Sequence, residues 1–153
     1  MIARFVALAD QSRTLLTALA HVLDLGIRWH VAYAFFLAGL TKIRDWDTTL
    51  LLFRNEYHVP VISPEAAAVF GAVGELALPP LLALGLASRF AAAGMSAVNL
   101  FAVVSYWYVL KDMEAALAQH FYWGLLLLVT LLHGPGKLSL DALIWPRLQA
   151  KAG

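Results

Sequence analysis

Apolar residues run almost unbroken through four stretches of the chain, roughly Ile27 to Ile43, Ala66 to Leu86, Phe90 to Leu110 and Ala116 to Leu132. About 20 apolar residues at ~1.5 Å rise match a bilayer hydrocarbon core of ~30 Å, so each stretch predicts a membrane span. Helices are the form available to them, because an open strand would leave backbone groups unpaired in lipid, and the alternation of a barrel strand is missing. The first stretch carries charge at both ends, Arg28 and Lys42. The second contains one charge, Glu75, at its centre; the third has none; the fourth opens on Gln119 and His120.

Between and beside the spans the pattern becomes amphipathic. Phe5, Leu8, Leu15, Leu19 and Val22 recur at helical spacing, and Asp10 and Arg13 interrupt the run, which predicts a helix lying in the interface over residues 1–24 rather than a signal peptide. A second surface helix is expected over Trp46 to Tyr57, ended by His58-Val59-Pro60. A third short piece, SLDALIWPRL, follows the Gly134-Pro135-Gly136 turn. The expected architecture is all-α: a four-helix transmembrane bundle over 25–143, preceded by the interfacial helix and followed by a cytoplasmic tail over 144–153.

Composition agrees with that division. Hydrophobic residues make up 61% and charged residues 14%, against about 25% charged in soluble domains. The net charge of +1 gives no electrostatic footprint for nucleic acid. Cysteine is absent, which excludes disulfide exchange and thiolate-held metal or Fe–S centres made by this chain alone. No carboxylate–histidine cluster has metal-site spacing, so no metal ligand is assigned. The terminal segments and the Ser88-Arg89 turn hold Arg4, Arg13, Arg89, Lys137, Arg147 and Lys151, while the other side holds Lys42, Arg44, Arg54 and Lys111. This asymmetry favours a multi-pass protein of the inner (plasma) membrane with both termini cytoplasmic.

Helical phase then places the polar residues. Arg28, Ala32, Phe35, Gly39 and Lys42 share one stripe; Ala68, Gly71, Glu75, Pro79 and Leu82 share another; Ala92, Ser96, Asn99, Val103 and Tyr106 a third; Tyr122, Leu126, Val129 and His133 a fourth. Their small residues let helices approach, so these stripes are expected to face the interior. Glu75 and Asn99 then lie at the same depth near the midplane, with Arg28 on one side and Lys42 on the other. An intramembrane carboxylate is costly and by default functional. Glu75 is accordingly the candidate proton-transfer group, with Arg28 as its expected counter-charge; the bland reading is a structural Glu75–Arg28 pair. Arg28, Lys42, Asn99, Tyr106 and His133 are the candidate binding residues. Each has a structural alternative: Asn99 as an interhelical hydrogen bond, Lys42 and Arg28 as snorkelling side chains. The Pro79-Pro80 pair removes backbone donors just past Glu75 and is expected to kink the span there. A haem bound by His30 and His133 is disfavoured, because His30 lies off the inward stripe.

Several of these residues fall into an ordered pattern. Arg28, then FFLAGLTKIRDW, then Gly74-Glu75, then LLALGLASRFAA, then HGPGKLSLDAL together resemble the DoxX family of small membrane proteins, from about Arg28 to Leu143. The resemblance implies a four-helix membrane bundle, with characteristic positions falling on Arg28, Gly39, Lys42, Glu75, Arg89, Gly134, Gly136 and Asp141. It also implies a range of activities: membrane subunits of thiosulfate:quinone oxidoreductases, companions of oxidative-stress or metal-handling proteins, and a receptor-assembly chaperone.

Two functions follow as expectations. One is a quinone-interacting or redox-associated membrane subunit. It has no intrinsic cofactor, takes quinone as the candidate ligand, and receives electrons from a partner protein. The alternative is a non-enzymatic docking or assembly partner. Both place the chain in the lipid bilayer with a protein partner or as a homo-oligomer, and neither involves nucleic acid.

Overall fold

The computed structural model describes residues 2–59 and 61–152. Among them the chain forms seven helices: α1 (Ile2–Arg44), α2 (Trp46–Asn55), α3 (Pro64–Leu84), α4 (Ser88–Ser105), α5 (Trp107–Leu110), α6 (Glu114–His133) and α7 (Leu140–Ala152). Pro60, expected as part of the stop after α2, lies outside the described residues. Three helices, α3, α4 and α6, are long and apolar enough to cross a membrane. α1 packs against α3 and α6, and α4 packs against α3 and α6.

Local chemistry sets several boundaries. Ser63 caps α3 by accepting from the Ala66 amide at 3.2 Å, and Pro64 follows at the first helical position, where its missing N–H costs nothing. Gly85 ends α3 in the left-handed region, at φ 69°, where a side chain would be strained. Asp45 caps α2 by accepting from the Thr48 amide at 3.0 Å and the Thr48 hydroxyl at 2.7 Å, and these bonds hold its carboxyl below the usual carboxylate range.

The core lies where α1, α3, α4 and α6 meet and is built from Val31, Ala32, Phe35, Leu82, Ala91, Ala92, Met95 and Leu127. Small side chains permit that packing. A Cβ on Gly39 would sit 2.9 Å from Leu76 and 3.0 Å from the Glu75 Cβ, so glycine is what allows α1 to approach α3 at the depth of Glu75. The inward stripes expected for the first two spans are both observed: Arg28, Ala32, Phe35 and Gly39 are buried on α1, and Ala68, Gly71, Glu75, Pro79 and Leu82 on α3.

Three expectations are corrected. The surface helix over residues 1–24 is not separated from the first span: α1 is a single helix of 43 residues, and Phe5, Leu8, Leu15, Leu19 and Val22 are exposed along it. The third apolar stretch is not one continuous helix to Leu110: it is interrupted at Tyr106 and resumes as α5. α4 ends at Ser105, whose carbonyl accepts from the His58 amide at 2.8 Å and is diverted out of the helical ladder. The fourth stripe is rotated. Leu127 and Thr130 face inward, whereas Tyr122 and His133 are exposed, because α6 is phased by Trp123 packing edge-on against Phe35 and by His120 bonding to Asn99.

Candidate functional site

Glu75 does lie inside the bundle, but its counter-charge is Lys42. The Lys42 Nζ donates to Glu75 Oε2 at 2.5 Å, and the two side chains are 19% and 9% exposed. The expected Glu75–Arg28 pair is not formed. The reason is axial: Lys42 lies three residues beyond Gly39, where α1 touches α3 at Glu75, whereas Arg28 lies three turns back along the same stripe. Two prolines accentuate the place. Pro79 and Pro80 cannot donate to the carbonyls four residues earlier, those of Glu75 and Leu76, so polar backbone is freed beside the carboxylate.

A cavity of about 30 Å³ adjoins the pair, lined among others by Lys42, Glu75, Tyr57, Phe53 and Ser105. That volume holds a water or two, since one water needs roughly 10–15 Å³ on this measure. The Ser105 hydroxyl, 1% exposed, has no hydrogen-bond partner among the described residues. Rings close the chamber. Phe53 stacks on Tyr57 at 4.5 Å between centroids, and Tyr57 stacks on Tyr106 at 4.7 Å. Burial pushes the Tyr57 hydroxyl up to about 12, helped by the nearby Tyr106, Glu75 and Glu56, so it remains a neutral donor throughout the ordinary pH range. Tyr106 turns the other way and donates to the exposed Glu56 carboxylate at 3.2 Å.

Arg28 serves the opposite end of the bundle. It is 0% exposed, and its guanidinium donates to the Leu82 carbonyl at 3.2 Å, the Ala83 carbonyl at 3.0 Å and the Leu138 carbonyl. These acceptors include the last turn of α3, where a cation also meets the negative end of the helix dipole. One side chain thereby ties α1, α3 and the segment before α7 together. Asp141 completes the joint: its carboxylate accepts from the Ala87 amide at 2.8 Å, the Ser88 amide at 2.8 Å and the Ser88 hydroxyl at 2.7 Å, capping α4.

Asn99 was expected beside Glu75 and instead bridges to α6. Its Nδ2 donates to the His120 carbonyl at 2.9 Å, and its Oδ1 lies 2.8 Å from His120 Nδ1. Because an amide oxygen only accepts, Nδ1 carries the proton, and the neutral ring presents Nε2 as an acceptor. The pair forms the polar floor of an otherwise apolar groove of about 390 Å³ between α4 and α6, walled by Leu100, Leu117, Phe121 and Leu128.

The candidate residues therefore fall into separate places. Glu75 and Lys42 meet; Tyr106 stacks one ring away from them; Asn99 faces α6; Arg28 and His133 lie at the far end, His133 exposed at the close of α6. His120, Tyr57 and Ser105 were missed. His120 could have been found from its position three residues before Trp123 on the face that Leu127 and Thr130 continue. Nothing local in the sequence marks Tyr57 or Ser105, which are brought in by the fold-back of the segment after α2.

No curated protein and no solved structure matches the chain. The DoxX family matches residues 23–107, more than half of the sequence, and that interval contains Arg28, Gly39, Lys42, Glu75 and Asn99. The chain is an apolar helical membrane protein and belongs to the DoxX family.

Proposed function

We propose that this protein is a quinone-interacting membrane subunit that takes electrons from a partner protein. In this reading the second half of α1 is a fourth span, the membrane is the inner (plasma) membrane, and both termini are cytoplasmic. The observation that carries the proposal is the α4–α6 groove, about 390 Å³ in volume, apolar on its walls, with Asn99 and His120 on its floor. Ligand sites of this kind are mostly apolar with a few placed polar groups, and their volumes begin at roughly 300 Å³. A quinone head group entering from lipid finds the remaining Asn99 N–H as a donor to one carbonyl. When two electrons and two protons convert it to the quinol, His120 Nε2 is an acceptor for the new hydroxyl. Glu75, paired with Lys42 beside the small chamber, is the proposed proton-transfer group. The chamber itself is too small for a quinone ring, so binding and proton supply are assigned to different places.

The test is direct. Lipids extracted from protein purified in mild detergent are analysed for quinone by chromatography, alongside an absorption spectrum of the intact protein. Retained quinone that is lost in Asn99→Leu and His120→Phe supports the reading. No quinone in the wild-type protein, with no binding of added quinone, contradicts it.

A second reading is favoured by a different observation, the exposed apolar residues of α1 before Arg28, including Leu15, Leu16, Leu19 and Leu23. Such a segment suits a docking or assembly partner, or a homo-oligomer. Native mass spectrometry of the full chain showing a retained protein or a second copy, lost when Leu15, Leu19 and Leu23 become serine, supports this reading. A monomer alone, with no retained protein, counts against it.

A further inference from the structure

At the Arg28 end of the bundle lies a broad cavity of about 570 Å³, bounded by the start of α4, the close of α6 and the start of α7. Its lining includes Arg89, Phe90, His133, Gly134, Gly136 and Trp145. The Lys42–Glu75 centre and the α4–α6 groove contribute none of these residues.

We propose that this cavity binds the phosphodiester of an anionic phospholipid, with Arg89 as the principal anchor. Position is the first argument. Arg89 is the second residue of α4 and His133 the last of α6. Both are ends of helices apolar and long enough to cross a membrane, so the cavity falls where lipid phosphates lie. Basic pockets between spans at that depth suit anionic head groups.

Charge is the second argument. Arg89 is exposed and donates to the Leu132 carbonyl at 3.3 Å through Nη2 alone. None of the ion pairs among the described residues involves it. A guanidinium has five N–H donors in a planar fork that matches a phosphate, so most of its capacity is not used by the protein among the described residues. The objection is Asp141, which also lines the cavity. Its carboxylate already accepts three hydrogen bonds at the N-terminus of α4, two from backbone amides and one from the Ser88 hydroxyl. Those donors and the positive end of the helix compensate its charge locally, whereas Arg89 meets the single Leu132 carbonyl at the close of α6 and forms none of the ion pairs among the described residues.

The third argument is the surroundings. Phe90, Leu132 and Trp145 are 68%, 70% and 62% exposed. A free phosphate would gain nothing from these apolar faces, whereas the glycerol and upper acyl chain of a lipid cover them, and an interfacial Trp is suited to that level of the membrane.

The test uses the full-length protein in mild detergent and native mass spectrometry, with phosphatidylglycerol, phosphatidylcholine or inorganic phosphate added in separate arms. Selective retention of phosphatidylglycerol is expected, with Arg89→Gln weakening it by about tenfold or more, as loss of a charge-assisted contact does. Equal retention of phosphatidylcholine, or undiminished binding in Arg89→Gln, overturns the proposal. Displacement of phosphatidylglycerol by millimolar inorganic phosphate assigns the site to the free ion and overturns the lipid assignment. Should Arg89→Gln fail to fold, photoactivatable phosphatidylglycerol on the wild-type protein decides the matter. Adducts concentrated at Phe90, Leu132 and Trp145 support the site, and adducts spread over the lipid-facing helices overturn it.

Discussion

Arg28 and Lys42 occupy one stripe of α1 and are both withdrawn from water, yet they are neutralised in opposite ways. Arg28 is fully enclosed, and its two terminal nitrogens donate to backbone carbonyls of α3 and of the segment before α7, while its Nε has no partner among the described residues. Lys42 meets a side-chain carboxylate next to a small polar cavity. The difference follows from chemistry. A planar guanidinium can serve several carbonyls at once and keeps its charge, which makes it a fastener. An ammonium paired with a carboxylate beside space for water can exchange a proton, which makes it a candidate for function. In the proposed function the same contrast separates stability from activity: the Arg28 end holds the bundle closed, and the Lys42 end is the proposed place of proton transfer.

The contrast breaks most severely at Arg28. Arg28→Leu takes the guanidinium donors from the Ala83 and Leu138 carbonyls, while Leu82 keeps the Gly85 amide at 3.1 Å; each buried acceptor left unsatisfied costs about 1–3 kcal/mol. The expected outcome is a protein that does not accumulate in the membrane or unfolds several kcal/mol more easily in a detergent denaturation series. Wild-type stability in Arg28→Leu would show that the clamp is dispensable.

Next in size is Glu75→Ala, which leaves Lys42 unpaired and is expected to destabilise by ~3–5 kcal/mol. Glu75→Gln keeps the shape and a hydrogen bond to Lys42. The folded protein should therefore persist while any proton-dependent turnover is lost in a complementation assay. Retained turnover in Glu75→Gln would reduce the pair to a structural contact.

Asp141→Ala removes the cap of α4 and should cost ~0.5–2 kcal/mol. Asp141→Asn, which keeps acceptor capacity, should cost less; thermal unfolding of both variants side by side measures the difference. The smallest effect is expected at Ser105. Its hydroxyl has no partner among the described residues, so Ser105→Ala should change stability by less than ~1 kcal/mol while altering hydration of the chamber. A loss much larger than that would mean the hydroxyl is firmly bonded.

Much of this was legible in the sequence, and the gaps have a common cause. Hydropathy located the apolar stretches, and helical phase put Arg28, Gly39, Glu75 and Pro79 on inward faces, because both signals are properties of one helix at a time. Pairing between helices is not. Which cation meets Glu75 depends on where α1 crosses α3, fixed by the missing side chain at Gly39 against Leu76. The phase of α6 depends on Trp123 meeting Phe35 and His120 meeting Asn99. The end of α4 depends on His58, far away in sequence, capturing the Ser105 carbonyl. The aromatic lid of Phe53, Tyr57 and Tyr106 likewise forms only when α2 folds back over the bundle.

The measurement that bears most directly on this contrast is a pair of double-mutant cycles on unfolding free energy, one joining Glu75 to Lys42 and one joining Glu75 to Arg28. With Glu75→Leu, Lys42→Met and Arg28→Met, the Lys42–Glu75 cycle is predicted to show a coupling of ~1–3 kcal/mol, with the double variant more stable than either single one. The Arg28–Glu75 cycle is predicted to be additive within ~0.5 kcal/mol, as for sites without shared partners. Strong coupling between Glu75 and Arg28, with additivity between Glu75 and Lys42, would contradict the division of labour between the two ends of the bundle.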